Sequence, residues 1–235
     1  MTLRWLICFS ASLLSLSAGV VSGRVELRDS RYATVRNQHD YSGVVVALNP
    51  VENSATPAPA QHAVMVQKDK AFSPHVLAIQ AGSLVEFPNA DPIFHNAFSS
   101  YNGQVFDIGL YPPGTTRSVK FARPGVVRVF CNIHASMNAV IVVIASPYFA
   151  TTKPDGTFKT GEVPQGQYNL TLFHERASEA ALAKLNRRIT VGPGGASLPD
   201  IVISEAGYLS IPHKNKYGRD YPPDSGDPAY PGSKP

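Results

Sequence analysis

The stretch Val129-Phe130-Cys131-Asn132-Ile133-His134-Ala135-Ser136-Met137 decides how this chain folds. A histidine follows the cysteine by three positions, and a methionine follows the histidine by three. Strand-forming sequence flanks the group on both sides, Val126-Val127-Arg128-Val129-Phe130 before it and Ala139-Val140-Ile141-Val142-Val143-Ile144 after it. Two strands joined by a short loop can turn all three side chains toward one point. A thiolate, an imidazole and a thioether are three of the four ligands of a mononuclear blue-copper centre, and the fourth is a second imidazole. His95, in Asp91-Pro92-Ile93-Phe94-His95-Asn96, follows a strand and sits in a proline-bounded loop, so it can reach the same end of a sandwich. Taken alone, His95 reads as an ordinary loop histidine. Beside Cys-x-x-His-x-x-Met it becomes the fourth ligand.

The N-terminus gives Cys131 its weight. Residues 1–23 hold Arg4, an apolar run from Leu6 to Leu16, and small residues at Ala18, Gly19, Ser22 and Gly23. This is the three-part pattern of a secretory signal peptide, with an apolar run too short to span a bilayer. A cut after Gly23 fits the pattern, and so does a cut after Ala18. Both remove Cys8, one of 2 cysteines in the 235 residues, and leave Cys131 as the one thiol of an exported, periplasmic or otherwise extracytoplasmic protein. A lone thiol there has three readings: a buried inert side chain, an intermolecular disulfide or a metal ligand. His134 and Met137 favour the third. Zinc is chemically compatible with cysteine and histidine, but a methionine ligand argues against it. The 7 histidines form no His-x-His pair of the kind a multicopper oxidase needs, which argues against an enzyme. A formal charge of +4 with scattered Lys and Arg argues against a nucleic-acid partner.

Short strands punctuated by 20 prolines and 18 glycines predict an all-β chain. Strand-like pieces at 24–27 and 43–48 precede a Pro/Ala-rich linker, 49–61. A dense series of strands fills 62–146, in which 139–144 is apolar enough to be buried on both faces. The pattern restarts at 147 with a turn at Lys153-Pro154-Asp155-Gly156, a strand at 169–173, a helix over 178–185 capped by Ser178, and a last strand at 200–203. His174-Glu175 reads as a solvated strand end. Residues 206–235 have few aliphatics and read as a disordered or loosely attached tail.

Ser73-Pro74-His75-Val76-Leu77-Ala78-Ile79, Gly82-Ser83-Leu84-Val85-Glu86-Phe87-Pro88-Asn89-Ala90-Asp91 and His95-Asn96, taken with the Cys131 loop, resemble the cupredoxin (plastocyanin-like) family. The resemblance covers 62–145. It implies a Greek-key β-sandwich holding one type 1 copper, with His95, Cys131 and His134 as equatorial ligands and Met137 as the axial one. It implies that Asn96 ties the two ligand loops together, and that His134 is the solvent-edge ligand near which redox partner proteins dock. Ile133, Ala135, Pro112 and Pro113 would form an apolar rim there, although the two prolines serve equally well as loop stiffeners. The two-residue gaps on either side of His134 resemble amicyanin, but this loop lacks the prolines usual there.

Thr152-Lys153-Pro154-Asp155-Gly156-Thr157-Phe158 and Val163-Pro164-Gln165-Gly166-Gln167-Tyr168 resemble a second family, the carboxypeptidase regulatory-like, prealbumin-type β-sandwich. Gly23-Arg24-Val25 and the strand from Gly43 look like its missing first strands, which would make the cupredoxin an insertion in a split sandwich. The plain alternative is that 24–61 extends the cupredoxin sheet. The expected domains are therefore 24–61, 62–146 and 147–205, followed by the tail 206–235. The expected function is an exported blue copper protein carrying single electrons. The alternative is a copper-binding or copper-delivery protein with no electron-transfer role.

Overall fold

A computed structural model describes residues 18–52, 61–100, 103–210 and 212–222. Most of the expected signal peptide, the middle of the Pro/Ala-rich linker and residues 223–235 lie outside the described residues. The first part of the chain forms β1 (Ala18–Arg28), a short helix α1 (Ala33–Gln38) and β2 (Val45–Pro50). Then come β3 (His62–Val64), β4 (Val66–Lys68), β5 (Ala71–Ser73), β6 (Val76–Gln80), β7 (Ser83–Pro88), β8 (Phe98–Ser99), β9 (Phe106–Asp107), β10 (Thr116–Phe121), β11 (Gly125–Phe130) and β12 (Asn138–Ile144). The last part supplies β13 (Phe149–Thr151), β14 (Thr157–Pro164), β15 (Gly166–Phe173), helix α2 (Glu179–Ala183), β16 (Arg187–Val191), β17 (Ala196–Ser197) and β18 (Ile201–Ser204). Ser178 caps α2 as its sequence position predicts, its side chain accepting from the Ala181 amide. Helix α1 was not expected, and the expected helix over 178–185 is shorter, ending at Ala183 with Lys184 as its C-cap.

The N-terminal strands belong with the C-terminal ones. β1 pairs antiparallel with β14 and parallel with β17 and β18, while β2 lies between β13 and β15, with β16 outside β15. These two sheets enclose Val21, Val25, Val46, Leu48, Phe158, Leu170, Ile201 and Ile203. The central strands form their own sheets, β10-β7-β3 and β6-β12-β11-β8-β9, with a small β4-β5 hairpin at the side. Met65, Phe87, Phe121, Val129 and Ile141 fill the core between them. One sandwich is thus split in sequence by another, and β1 and β2 do not extend the central sheets.

The boundary at residue 24 falls inside β1. The strand starts at Ala18 and buries Val21 completely. Gly19 lies so close to Gly195 that a Cβ on Gly19 would sit 2.2 Å from the Gly195 amide nitrogen. Gly195 has φ +87 and would meet the Val20 backbone in turn, so both positions require glycine. A cut after Gly23 would strip this half of the strand, whereas a cut after Ala18 keeps it. Gly19→Ala should cost about 1–3 kcal/mol by overpacking. Gly161→Ala, with nothing within 4 Å, should stay within about 0.5 kcal/mol. Urea denaturation of both variants checks this, and equal effects would refute the close backbone contact.

The two sandwiches meet face to face. Val45 and Ala47 of β2 pack against Val140, Val142 and Ile144 of β12. Just after β15, His174 is buried and Glu175 half-buried rather than solvated, because both are taken up in ion pairs. His174 Nε2 lies 2.7 Å from Glu205, which also accepts from Ser30 and Arg176. Glu175 meets His75 Nε2 of the central sandwich at 2.9 Å, and His75 Nδ1 lies 3.1 Å from the Asn138 carbonyl.

The Glu175 carboxylate holds the His75 imidazole above its usual pKa, against the opposing effect of burial. Burial pushes Glu175 up, but the bond and charge of His75, with Arg176, outweigh it and leave Glu175 below its ordinary value. The His75 contribution is complete below about pH 6.5 and is lost as pH rises through the raised value. The Glu175 contribution is complete above about pH 4.5 and is lost as pH falls through the lowered value. His75 is half exposed, which limits the pair to about 1 kcal/mol. The gap in urea midpoint between wild type and His75→Gln should therefore be widest near pH 5.5 and shrink toward pH 9. A gap that widens above pH 8 would contradict the pairing.

Candidate metal centre

The antiparallel register of β11 and β12 places Phe130 opposite Asn138 and leaves 131–137 as the connecting loop. The Cys131 amide donates to the Met137 carbonyl at 3.1 Å, and the Met137 amide donates to the His134 carbonyl at 3.1 Å. The strand ends thus fix Cys131 and Met137 at the base of the loop, and both side chains are fully buried in the central core. His134, at the loop's far side, is partly exposed.

His95 lies in the segment between β7 and β8, where it forms an isolated bridge with Tyr111. Its backbone exchanges two hydrogen bonds with Tyr111, at 3.2 and 2.9 Å. The Tyr111 hydroxyl in turn donates to the Phe87 carbonyl at 2.8 Å and accepts from Gln67. The His95 ring is completely buried. Its Nδ1 faces Cys131 Sγ at 3.9 Å, and His134 Nδ1 faces the same sulfur at 3.8 Å. The two imidazoles meet edge to face with centroids 4.9 Å apart. Ligand atoms of His95, Cys131 and His134 all lie within 4.8 Å of one another, the one such group of three or more His, Cys, Asp or Glu side chains among the described residues.

These spacings fit an ion. Bonds of about 2.0 Å to nitrogen and 2.3 Å to sulfur, at 120°, put nitrogen and sulfur about 3.7 Å apart. The donor set of one thiolate and two imidazoles, with a thioether in the same core, suits copper. Complete burial also rules out the intermolecular disulfide, since the Cys131 sulfur cannot reach another chain.

Asp91 is a site residue that sequence reasoning missed. It is buried, and its Oδ2 accepts from His95 Nε2 at 2.7 Å. Its carboxylate also accepts from the Asp69 and Lys70 amides at 2.6 and 3.0 Å. Asp69 and Lys70 both have positive φ, forming the tight two-residue turn between β4 and β5 that aims these amides inward. Three donors satisfy the buried carboxylate, and its bond to Nε2 orients the ring so that Nδ1 faces the sulfur.

Asn96 sits beside His95 as expected, but its Nδ2 donates to Asp107 at 2.8 Å, and its Oδ1 is buried without a hydrogen-bond partner. The expected direct tie to the Cys131 loop does not form. Residues 206–210 and 212–222 have no regular strand or helix, in keeping with their composition, yet they are attached. His213 stacks on Phe130 at 4.0 Å, and Tyr221 donates to the Cys131 carbonyl at 2.6 Å. Of the expected rim, Ile133, Ala135, Pro112 and Pro113 are all exposed, and the Ala135 carbonyl bonds His213. Phe94 and Leu110, which sequence reasoning left out, are exposed as well.

Comparison with models of protein families gives no match, and comparison with curated proteins gives none. Among solved structures, a copper-containing nitrite reductase from Thermus scotoductus shares 25% identity over 41% of this chain, with a TM-score of 0.35. The chain spans a quarter of that enzyme's length. A purple cupredoxin from Nitrosopumilus maritimus shares 24% identity at a TM-score of 0.32, covering 35% of this chain and 99% of its own. An amicyanin variant in its Cu(I) form shares 15% identity at 0.34, covering 42% and 98%. The all-β architecture stands on the chain's own strand pairing, and the His95–Cys131–His134 cluster stands on its own geometry.

Asp91→Asn should weaken binding of copper about 10–100-fold, the usual cost of losing an outer partner of a histidine ligand. Competition against a chelator of known affinity measures this, and an unchanged affinity would show that Asp91 does not orient His95.

Proposed function

We propose that this chain is an exported type 1 copper protein that carries single electrons between redox partner proteins. The observation that carries the reading is the convergence of His95 Nδ1, Cys131 Sγ and His134 Nδ1 in a buried core that also holds Met137. Copper bound there would supply a one-electron couple between Cu(II) and Cu(I). Cys131 offers the soft anionic ligand, the imidazoles suit both oxidation states, and Met137 offers a weak thioether. Asp91, Tyr111 and the closed loop 131–137 hold these groups in one arrangement, so little has to move when the charge changes. Burial of Cys131, His95 and Met137 keeps water from the centre.

His134 is the ligand with exposed surface, and a partner protein would meet the centre there. Ile133, Phe94 and Leu110, at 41%, 51% and 52% exposure, supply apolar surface for such docking. Export is supported by the signal-like N-terminus, and a cut after Ala18 preserves the buried part of β1. No helix among the described residues is long and apolar enough to cross a membrane. The outer sandwich is read as the prealbumin-type module, acting as a support for the central one.

The test is the absorption spectrum of the copper-loaded protein. An intense blue or violet thiolate-to-Cu(II) band should appear, bleach with reductant and return with oxidant. Cys131→Ser should abolish it, while Met137→Leu should keep it with an altered potential. A colourless loaded protein, or colour that survives Cys131→Ser, would overturn the reading. A coloured protein that cannot be cycled would leave copper delivery as the function.

A further inference from the structure

Residues 212–222 follow the last strand and belong to neither hydrophobic core. They form a hook with its own internal order. The Asn215 side chain accepts from the Tyr217 and Arg219 amides at 2.9 and 3.1 Å, and the Asn215 amide donates to the Arg219 carbonyl at 2.9 Å. A chain segment that only trailed from the fold would have no reason to close such a turn.

The hook lies along the metal-binding loop and contacts three of its residues, together with Phe130 at the end of β11. The His213 ring stacks on Phe130, and its Nε2 donates to the Ala135 carbonyl at 2.9 Å. The Tyr221 hydroxyl donates to the Cys131 carbonyl at 2.6 Å. The Lys216 amide donates to Asn132 Oδ1 at 3.0 Å. The Lys216 ammonium reaches Asp107 Oδ2 at 2.8 Å, and Asp107 Oδ1 accepts from Asn96 at 2.8 Å. Asn132 is the neighbour of Cys131, and Asn96 is the neighbour of His95. The chain Asn96–Asp107–Lys216–Asn132 therefore joins the two ligand-bearing loops, where the direct link from Asn96 is missing.

We propose that Lys216 and Tyr221 are positioning residues of the metal centre, through which the C-terminal hook locks the Cys131 loop against the His95 loop and slows loss of the bound ion. This rests on the copper reading above. Because β18 ends at Ser204, removing the hook leaves both cores whole, so its effect falls on the loop rather than on folding. Asp107 is held ready for this role. Burial acts to raise its pKa, but bonds from Lys216, the Gly109 amide and Asn96 outweigh it and keep the carboxylate charged.

The experiment loads the full chain with Cu(II) and follows the thiolate absorption band during challenge with excess EDTA. Lys216→Met, Tyr221→Phe and a chain ending at Ser210 are compared with wild type and with Lys216→Arg. The first three should release copper about tenfold or more faster and shift the absorption maximum or the reduction potential. Lys216→Arg, which keeps a cation for Asp107, should restore the wild-type rate. The metal-free melting temperatures of the point variants should stay close to wild type. Unchanged release, absorption and potential in all three variants would overturn the proposal. So would faster release that follows a matching drop in metal-free stability and that Lys216→Arg fails to rescue. A wild-type protein that takes up no copper fails at the loading step, before any variant is compared, and overturns the functional reading together with this inference.

Discussion

β12 is buried on both faces, and the rest of the molecule is arranged around that strand. Successive side chains of a strand point to opposite faces. Ala139, Ile141 and Val143 therefore enter the central core, while Val140, Val142 and Ile144 enter the seam against Val45 and Ala47. Each fully buried Val or Ile contributes about 1.5–3 kcal/mol, so both sandwiches draw much of their cohesion from one segment. A slip of one residue would exchange the two sets, placing seam residues in the core and core residues in the seam. Register is thus held from two sides, and the pairing of Phe130 with Asn138 follows from it. That pairing sets the length of the 131–137 loop and puts Cys131 and Met137 side by side at its base.

The side chains of the candidate site are held by polar groups that converge from distant parts of the chain. Asp91 on His95 is itself held by the turn at Asp69-Lys70. Tyr111 braces His95 from the strand edge and is anchored on Phe87. His75, pinned between Glu175 and the carbonyl of Asn138, carries the outer sandwich's grip to within one residue of Met137. Each of these groups is satisfied by hydrogen bonds, as burial demands. The result is a set of donor atoms brought to ion-binding spacing by the protein alone.

How much of this was legible in the sequence depended on how local each cause was. The Cys131 loop was legible because strand patterning and ligand chemistry sit within one short stretch. The two-sided burial of β12 was legible because an unbroken aliphatic run leaves no polar face. The Ser178 cap was legible from its place just before the helical run. Asp91 was not, since its importance comes from a turn some twenty residues earlier. His174 looked solvated because its partner, Glu205, lies across the sandwich. The first half of β1 was hidden by its composition: Ala18, Gly19, Val20 and Val21 suit a signal peptide as well as a strand. The tail's composition correctly excluded a core element, but composition carries no trace of side chains that bond to backbone carbonyls, as Tyr221 and His213 do.

The insertion of one sandwich into another also bears on how residues 212–222 reach the 131–137 loop. The chain leaves the outer sandwich through β18, which is fixed beside β1 by the register Val25↔Ile201. The hook that follows it contacts the 131–137 loop through His213, Lys216 and Tyr221. Its position on that loop is therefore set by how the two sandwiches dock, through the Val45–Val142 packing and the His75–Glu175 pair. A change that loosens the seam would move the hook's anchor relative to the loop it holds, even with no ligand touched. In this architecture the 131–137 loop is held from both ends, by Glu175 acting through His75 on the carbonyl beside Met137 and by Tyr221 of the hook on the carbonyl of Cys131.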